Sequence, residues 1–256
     1  MQPTQAFAEV LTGLADQDDE LDGLLSGLDD AGWARPSRCP GWSVADVVLH
    51  VTQSCEMALA SVERRFTGAF GNPPGARSGA TVDDLAGLAV ANERGRPPAE
   101  LYQRWKEASA AQAKALAGCE PGTRLPWVAG ELSALTLATT RLAEHWIHTG
   151  DIAATLGREP SATDRLRPIA RLAWRTLPYA FARAGRTMAG PVALSLTGPD
   201  ETTWDFTPAE PPATTVTGPA LDFCLVAARR VPASDTALQG RGPDAAAVLD
   251  LVRTFA

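Results

Sequence analysis

The sequence predicts a mainly α-helical protein in which a four-helix bundle is followed by a small α+β domain. Apolar residues recur at helical spacing through most of the first 185 residues. Prolines and glycines cluster at the breaks between these segments, as they do in the loops of an antiparallel bundle. Alternation of β-branched and aromatic residues begins only near Gly190. We therefore expect two domains, a helical bundle over residues 1–160 and a helix with a small α+β fold over 161–256.

Composition and charge exclude several classes of protein. The 256 residues are 45% hydrophobic and 21% charged, which suits packed cores and not a disordered or fibrous chain. The net charge of −7 comes without a basic stripe, so no nucleic-acid partner is expected. No apolar run reaches the roughly 18 residues of a membrane span, and the acidic start shows no leader, so we expect a cytoplasmic protein without a membrane partner. The four cysteines form no Cys-x-x-Cys motif and are expected to be reduced thiols.

The first helices of the bundle are marked by their spacing and their caps. Residues 4–28 have helical spacing, and two prolines and two glycines then interrupt it between 32 and 42. Ser43 is placed to cap a new helix, with Asp46 in its positively polarised first turn. A stripe of valine, cysteine and alanine residues follows, which predicts a long helix over 43–65.

Proline-marked loops separate the remaining helices of the bundle. The segments 71–79 and 95–98 are predicted loops with a short helix between them, and the last proline of the second loop suits the first turn of a helix over 98–117. The longest predicted helix covers 130–156, and Gly157 is placed to end it.

The second domain begins with an arginine-rich helix predicted over 162–185. Three later segments have the alternation of short strands, with a hairpin-like turn between the first two: 191–198, 202–208 and 214–218. Two short helices, near 219–229 and 244–254, end the chain.

Three histidines are the residues most suggestive of chemistry: His50, His145 and His148. Glu144 and His148 are four residues apart on one predicted helix, so a carboxylate oxygen and an imidazole nitrogen can reach the same cation. His145 is an alternative partner for His148. His50 lies at the edge of the valine stripe, where it would face a neighbouring helix. If that neighbour is the helix over 130–156, the three side chains of His50, Glu144 and His148 form a metal site.

Such a site has three protein ligands and one open position, which is the pattern of catalytic Zn²⁺. The same donors also accept Ni²⁺, Fe²⁺ or Mn²⁺, and Zn²⁺ is the leading hypothesis. Asp151 could accept the second ring N–H of a ligand histidine or could be a surface carboxylate. A competing interpretation is that Arg141, Glu144, His148 and Asp151 form only a solvated polar face, because they lie opposite Leu142 and its apolar stripe.

Two segments of the bundle resemble a known protein family. The segments CPGWSVADVVLH (39–50) and RLAEHWIHTGDIA (141–153) resemble the mycothiol-dependent maleylpyruvate isomerase family, which belongs to the DinB-like four-helix-bundle metalloproteins. The similarity covers most of residues 1–160, and VALSLTG, TTWDF and TVTGPALDFCLVAARR resemble the family's second domain.

The resemblance implies a divalent metal, usually Zn²⁺, on His50, Glu144 and His148, together with the thiol mycothiol. Mycothiol is the small thiol of high-GC Gram-positive bacteria, and an actinobacterial source agrees with the 21 arginines and two lysines of this chain. A metal-bound thiol becomes a thiolate that can add to an electrophilic double bond, which gives isomerisation or S-conjugation of a small substrate.

Arginines are the candidates for binding a carboxylate on that substrate. The resemblance places a functional arginine at Arg230, which leads us to expect that the second domain supplies a cation to the reaction. Arg141 is the candidate on the bundle, unless it pairs with Glu144 one turn later. Arg167, Arg171 and Arg175 form a basic stripe that could bind carboxylates or merely offset the acidic surface.

Other hypotheses stay open from the sequence. One is a thiol-independent metal hydrolase or lyase, and another is a non-catalytic metal-containing ligand-binding protein.

Cys55 and His50 point about 140° apart on their helix, so they are not expected to form a nucleophile–base pair. Trp42 is a candidate to line the pocket. Whether the chain forms a homodimer is also left open.

Overall fold

The structure is a computed structural model that describes residues 2–66, 74–77, 79–128 and 130–254. It divides into two compact units, residues 1–160 and 161–256. Part of the loop predicted over 71–79 lies outside the described residues.

Four long helices form the bundle of the first unit. The helix over 3–25 packs against the helices over 98–117 and 134–155, and the helix over 44–62 packs against the same two. Within this unit the described helices are α1 (Pro3–Leu25), α2 (Asp30–Trp33), α3 (Val44–Val62), α4 (Val82–Glu93), α5 (Pro98–Ala117) and α6 (Ala134–Thr155). The bundle itself consists of α1, α3, α5 and α6, so the predicted fold class is confirmed.

Helix α3 begins with the predicted cap. The Ser43 hydroxyl accepts a hydrogen bond from the Asp46 amide at 3.2 Å, and the Asp46 carboxylate accepts one from the Ser43 amide at 2.8 Å. In the preceding loop, Gly41 takes a φ of +78°, a conformation that costs glycine little. The cap and the loop together hold Cys39 and Trp42 close to the first turns of α3.

Helix α6 starts four residues later than the sequence predicts. Gly130–Ser133 form a strand, β2, that pairs antiparallel with β1 (Arg124–Trp127). Ser133 then caps the helix by accepting a hydrogen bond from the Thr136 amide at 3.1 Å. At the other end Gly157, with a φ of +72°, ends the helix as predicted.

The helix α6 has no solvated polar face. Most of its residues are buried, including Arg141, Glu144, His148 and Asp151. The polar-face interpretation is therefore wrong, because α6 packs on α1, on α3 and on both strands of the β1–β2 hairpin. The bundle core contains large buried apolar side chains, among them Leu14, Val47, Val51, Trp105, Leu137 and Leu142.

The second unit is a small α+β fold around a four-stranded sheet. Its strands are β3 (Val192–Thr197), β4 (Thr203–Phe206), β5 (Thr214–Pro219) and β6 (Gln239–Arg241), in the order β4-β3-β5-β6. Strands β3 and β5 are parallel, and the other two pairs are antiparallel. The sequence did not indicate β6, since its three residues are all exposed and show no alternation.

The helices of this unit are α7 (Leu166–Arg175), α8 (Leu177–Arg183), α9 (Ala220–Ala227) and α10 (Ala245–Leu251). The prediction of one helix over 162–185 is wrong, since the chain leaves helical geometry at Thr176. Pro178 explains the break: it has no amide hydrogen, and it is tolerated in the first turn of a new helix.

Among the described residues, no helix is both long and apolar enough to cross a lipid bilayer.

Candidate metal centre

Three side chains from two bundle helices converge on one point. His50 of α3 places its Nε2 atom 2.6 Å from Oε1 of Glu144, and Nε2 of His148 lies 3.3 Å from the same oxygen. The two imidazole ring centroids are 4.9 Å apart. One ligand atom from each residue lies within 4.8 Å of the others, which makes a compact N, O, N donor set.

Local helical geometry and helix packing both contribute to this cluster. Glu144 and His148 are one turn apart on α6, so their side chains project side by side. His50 comes from α3, which packs directly against α6. The side chains of His50, Glu144 and His148 keep 16%, 11% and 10% of their exposure, so the cluster is largely shielded from water.

A buried carboxylate orients one of the histidines. Oδ2 of Asp151 lies 3.1 Å from Nδ1 of His148, and Asp151 is only 1% exposed. The surface-carboxylate interpretation of Asp151 is therefore wrong. In the neutral ring, with Nδ1–H donating to Asp151, Nε2 is the nitrogen whose lone pair would be directed at the cluster, and a metal ion there would replace the Nε2 proton.

Cys39 lies beside Asp151 and His148, a position that the sequence did not indicate. Its thiol donates a hydrogen bond to Asp151 Oδ2 at 3.2 Å, and its sulfur is 3.9 Å from His148 Nδ1. Cys39, His148 and Asp151 form a second compact donor group. That group uses the Nδ1 atom that the Asp151 hydrogen bond already occupies, so it is the weaker candidate for a metal site.

Two effects of opposite sign set the pKa values in the cluster: burial disfavours the charged form of each group, and hydrogen bonds and nearby charges favour it. Burial alone would raise the pKa of Glu144, but its hydrogen bonds to His148 and His50 hold this pKa well below the ordinary value. Burial would lower the pKa of His148, but Asp151, Cys39 and Glu144 raise it well above the ordinary value. Burial is the main reason that the pKa of His50 is lowered. Glu144 is therefore ionised, as a metal ligand must be.

The donor set fits a divalent ion. Zinc bonds of about 2.0–2.2 Å place tetrahedral ligand atoms roughly 3.4 Å apart, close to the 3.3 Å between His148 Nε2 and Glu144 Oε1. The 2.6 Å between His50 Nε2 and Glu144 Oε1 is a hydrogen-bond distance, so these two side chains would have to separate when an ion binds. Two imidazoles and one carboxylate are also the ligand types that Zn²⁺ and its first-row neighbours share. The Trp42 ring packs beside His50, with centroids 5.2 Å apart.

His145 lies outside the cluster. Its Nδ1 atom is 2.5 Å from Oδ1 of Asp18 on α1, and its Nε2 atom is 3.4 Å from the Cys55 sulfur. Burial would lower the pKa of His145, but the charges of Asp18 and Cys55 and their hydrogen bonds raise it to about 10. Because this ring is directed at α1 and at Cys55, the structure does not support His145 as the partner of His148 in a metal site.

The group formed by Asp18, His145 and Cys55 was not predicted from the sequence. One signal was available: Asp18 falls between Leu14 and Leu21, which are both fully buried on α1. An acidic residue beside an apolar stripe indicates a buried partner of opposite charge.

The arginines predicted to bind substrate have different environments. Arg141 is 2% exposed, and within the described chain it makes no ion pair with Glu144 or any other carboxylate. Arg230 follows α9 in the second unit, is half-buried, and donates to the Ala228 carbonyl at 2.9 Å. The stripe on α7 is exposed at each of its three arginines, Arg167, Arg171 and Arg175.

Comparison with known proteins assigns the chain to a family. Residues 14–153 match the family model described as the mycothiol maleylpyruvate isomerase N-terminal domain, a span that includes His50, Glu144 and His148. Two proteins of Mycobacterium tuberculosis, the uncharacterized proteins MT0041 and Rv0036c, are each 36% identical to this chain over 247 residues, which is 94% of this chain and 92% of the relative.

Two solved structures share the fold of the chain. They are crystal structures of the mycothiol-dependent maleylpyruvate isomerase and of a histidine-to-alanine mutant, with TM-scores of 0.60 and 0.61. Each match is 19% identical in sequence and covers 93% of this chain and 95% of the other. With the family model matched over more than half of its length, this chain belongs to the mycothiol maleylpyruvate isomerase family.

Proposed function

We propose that this protein is a divalent-metal-dependent enzyme that uses mycothiol to isomerise or S-conjugate a small electrophilic, carboxylate-bearing molecule. The observation that carries the proposal is the convergence of His50, Glu144 and His148, with Asp151 behind one histidine. Zn²⁺ is the proposed metal. Membership of the mycothiol maleylpyruvate isomerase family supports the choice of thiol.

The proposed roles of the residues follow from their contacts. His50, Glu144 and His148 would hold the ion, and Asp151 would keep His148 in the tautomer that offers Nε2. When bound, the ion supplies the Lewis acidity that lowers the pKa of a thiol ligand, so that the thiol is a thiolate at neutral pH. Trp42, packed beside His50, would limit the access of water to that face.

The proposed reaction starts from a cis double bond conjugated to a carbonyl group. The thiolate sulfur adds to one alkene carbon, a C–S bond forms, and the π electron pair moves onto the carbonyl as an enolate. Rotation about the new C–C single bond follows. The enolate electrons then re-form the double bond as the thiolate leaves, which yields the trans isomer. If the enolate takes a proton from water instead, the product is the S-conjugate.

Elemental analysis of protein purified without chelator or added metal tests the metal site. We expect one equivalent of a divalent ion in the wild type and its loss in His50→Ala, Glu144→Gln and His148→Ala. The exposed Glu159→Gln variant, which removes the same charge just beyond α6, should keep the metal. A full equivalent in both histidine variants would refute the ligand assignment.

A second assay tests the thiol. Turnover of a panel of cis-enedioyl acids is measured with and without mycothiol, and we expect turnover only with the thiol. Turnover without thiol would overturn the proposal in favour of a hydrolase or lyase. Bound metal with no turnover across the panel would favour a ligand-binding protein.

A further inference from the structure

Arg141 is a buried arginine that makes no ion pair with the described residues, and the charge of Glu144, one turn along α6, acts on it only from beyond ion-pair distance. The residue is 2% exposed, and its Nε atom is completely buried without a hydrogen-bond partner. Within the part of the chain that the structure describes, no carboxylate lies at ion-pair distance from its guanidinium. Another arginine of the bundle, Arg104, bonds to two glutamates, Glu56 and Glu93. Arg141 differs from Arg104 in being buried without a carboxylate at ion-pair distance among the described residues.

An unpaired buried charge lowers the stability of a fold, because the lost hydration is not replaced. Such a group persists where a bound ligand completes its hydrogen bonds, and binding sites commonly sacrifice stability in this way. The missing partner of Arg141 would have to be an anion, since a guanidinium donates hydrogen bonds and accepts none.

Trp127 on strand β1 holds the guanidinium in place. The central carbon of the guanidinium lies 4.8 Å from the centroid of the Trp127 ring. The strand is itself attached to α3, because the Ser61 hydroxyl donates to the Pro126 carbonyl at 2.6 Å. Stacking on an aromatic face leaves the in-plane N–H groups of arginine available, and their fork matches the two oxygens of a carboxylate.

Arg141 lies next to the metal-site cluster along its helix. It is one turn before Glu144 on α6, so the two side chains project from the same side of the helix. A divalent ion with the Glu144 carboxylate has a net charge of about +1, which a thiolate would cancel. A substrate carboxylate then needs a further cation, and Arg141 is the one on the same helix as Glu144 and His148.

We propose that Arg141, stacked on Trp127, is the receptor for a carboxylate of the substrate beside the His50–Glu144–His148 cluster. This inference rests on the proposed function and adds to it the residue that would bind the substrate carboxylate.

Calorimetric titration with succinate, an unreactive dicarboxylate, tests binding on the zinc-loaded protein. We expect Arg141→Gln to weaken succinate binding at least tenfold and Arg141→Lys to restore only part of it, because lysine lacks the planar fork. Arg158→Gln, which removes an exposed charge just after α6, should bind like the wild type. Equal affinities for the wild type and Arg141→Gln would overturn the proposal, as would the absence of succinate binding to the wild type.

Thermal unfolding separates a binding role from a structural one. If Arg141 binds a ligand, Arg141→Met removes an uncompensated buried charge and should unfold at the same temperature as the ligand-free wild type or higher. Succinate should then raise the Tm of the wild type only. A lower Tm for Arg141→Met with unchanged succinate affinity would identify a structural arginine and refute the inference.

The two proposals fail in different ways. Zinc content and mycothiol dependence test the proposed function and should be unchanged in Arg141→Gln. If the wild type binds zinc, and the wild type and Arg141→Gln bind succinate with equal affinity, only the carboxylate-receptor proposal is refuted. An absence of zinc in the wild type would refute the metal enzyme, whatever binds to Arg141.

Discussion

Asp151 and His148 are joined by a buried hydrogen bond in which Oδ2 lies 3.1 Å from Nδ1. Outer-shell carboxylates of this kind typically strengthen metal binding by 10–100-fold, because they orient the ring and raise its basicity. We expect Asp151→Asn to keep the fold and to weaken zinc affinity by about that factor. Competition with a chromophoric chelator measures the affinity, and the exposed Asp164→Asn is the matched control. Unchanged affinity in Asp151→Asn would remove Asp151 from the metal site.

A second prediction concerns the buried pair of Asp18 and His145. With its pKa raised to about 10, His145 is an imidazolium at neutral pH, and Asp18 is the carboxylate beside it. Removal of one partner from a buried ion pair costs about 3–5 kcal/mol. We expect Asp18→Asn to lose about that much free energy of unfolding in urea, whereas the exposed Asp19→Asn should stay within about 0.5 kcal/mol of the wild type. A similarly small loss in Asp18→Asn would show that the pair is not needed for stability.

A third prediction gives a pH dependence. Arg104 joins α5 to Glu56 of α3 at 2.8 Å and to Glu93 of α4 at 2.6 Å. Burial would raise the pKa of Glu93, but the hydrogen bonds from Arg104 and Gln53 lower it below its ordinary value of 4.5. The stabilisation from Glu93 is therefore present above about pH 4.5 and is lost as the pH falls through the lowered pKa.

We expect Arg104→Gln to cost about 1 kcal/mol at pH 7, since the three side chains are partly exposed and solvent screens them. The difference from the wild type should narrow below about pH 4. Arg96→Gln, which breaks more exposed pairs with Glu93 and Glu100, should have a smaller effect. Thermal melts across this pH range measure both variants, and a difference that does not narrow in acid would contradict the prediction.

Removal of the metal should abolish activity well before it affects the fold. The bundle core holds many fully buried leucines and valines, each of which contributes roughly 1.5–3 kcal/mol. We expect a chelator-treated sample to keep its helical circular dichroism at room temperature while turnover is lost. Loss of the helical signal would indicate a structural site instead.

Arg230 stays a prediction from the family resemblance. We expect Arg230→Lys to raise KM or lower kcat with metal content unchanged, because lysine keeps the charge and loses the planar fork. Steady-state kinetics and elemental analysis measure the two quantities, with the exposed Arg241→Lys as the control. Full activity in Arg230→Ala would transfer the anion-binding role to Arg141 or to the stripe of Arg167, Arg171 and Arg175.

The sequence by itself determined the features that depend on short spacings. The Ser43–Asp46 cap, the end of α6 at Gly157 and the neighbouring side chains of Glu144 and His148 all follow from helical geometry over a few residues. The motifs at 39–50 and 141–153, which contain His50, Glu144 and His148, also predicted the family that the comparisons confirm.

Only the tertiary structure decided which of these side chains are buried and what each contacts. His50 and Glu144 are 94 residues apart in the chain, and His145 and Asp18 are 127 apart. A helical wheel gives the relative directions of side chains but does not say which faces other helices cover. The partners of His145, the position of Cys39 and the burial of Arg141 therefore depend on how α1, α3, α6 and the β1–β2 hairpin pack. Burial and long-range contacts arise only when distant segments meet.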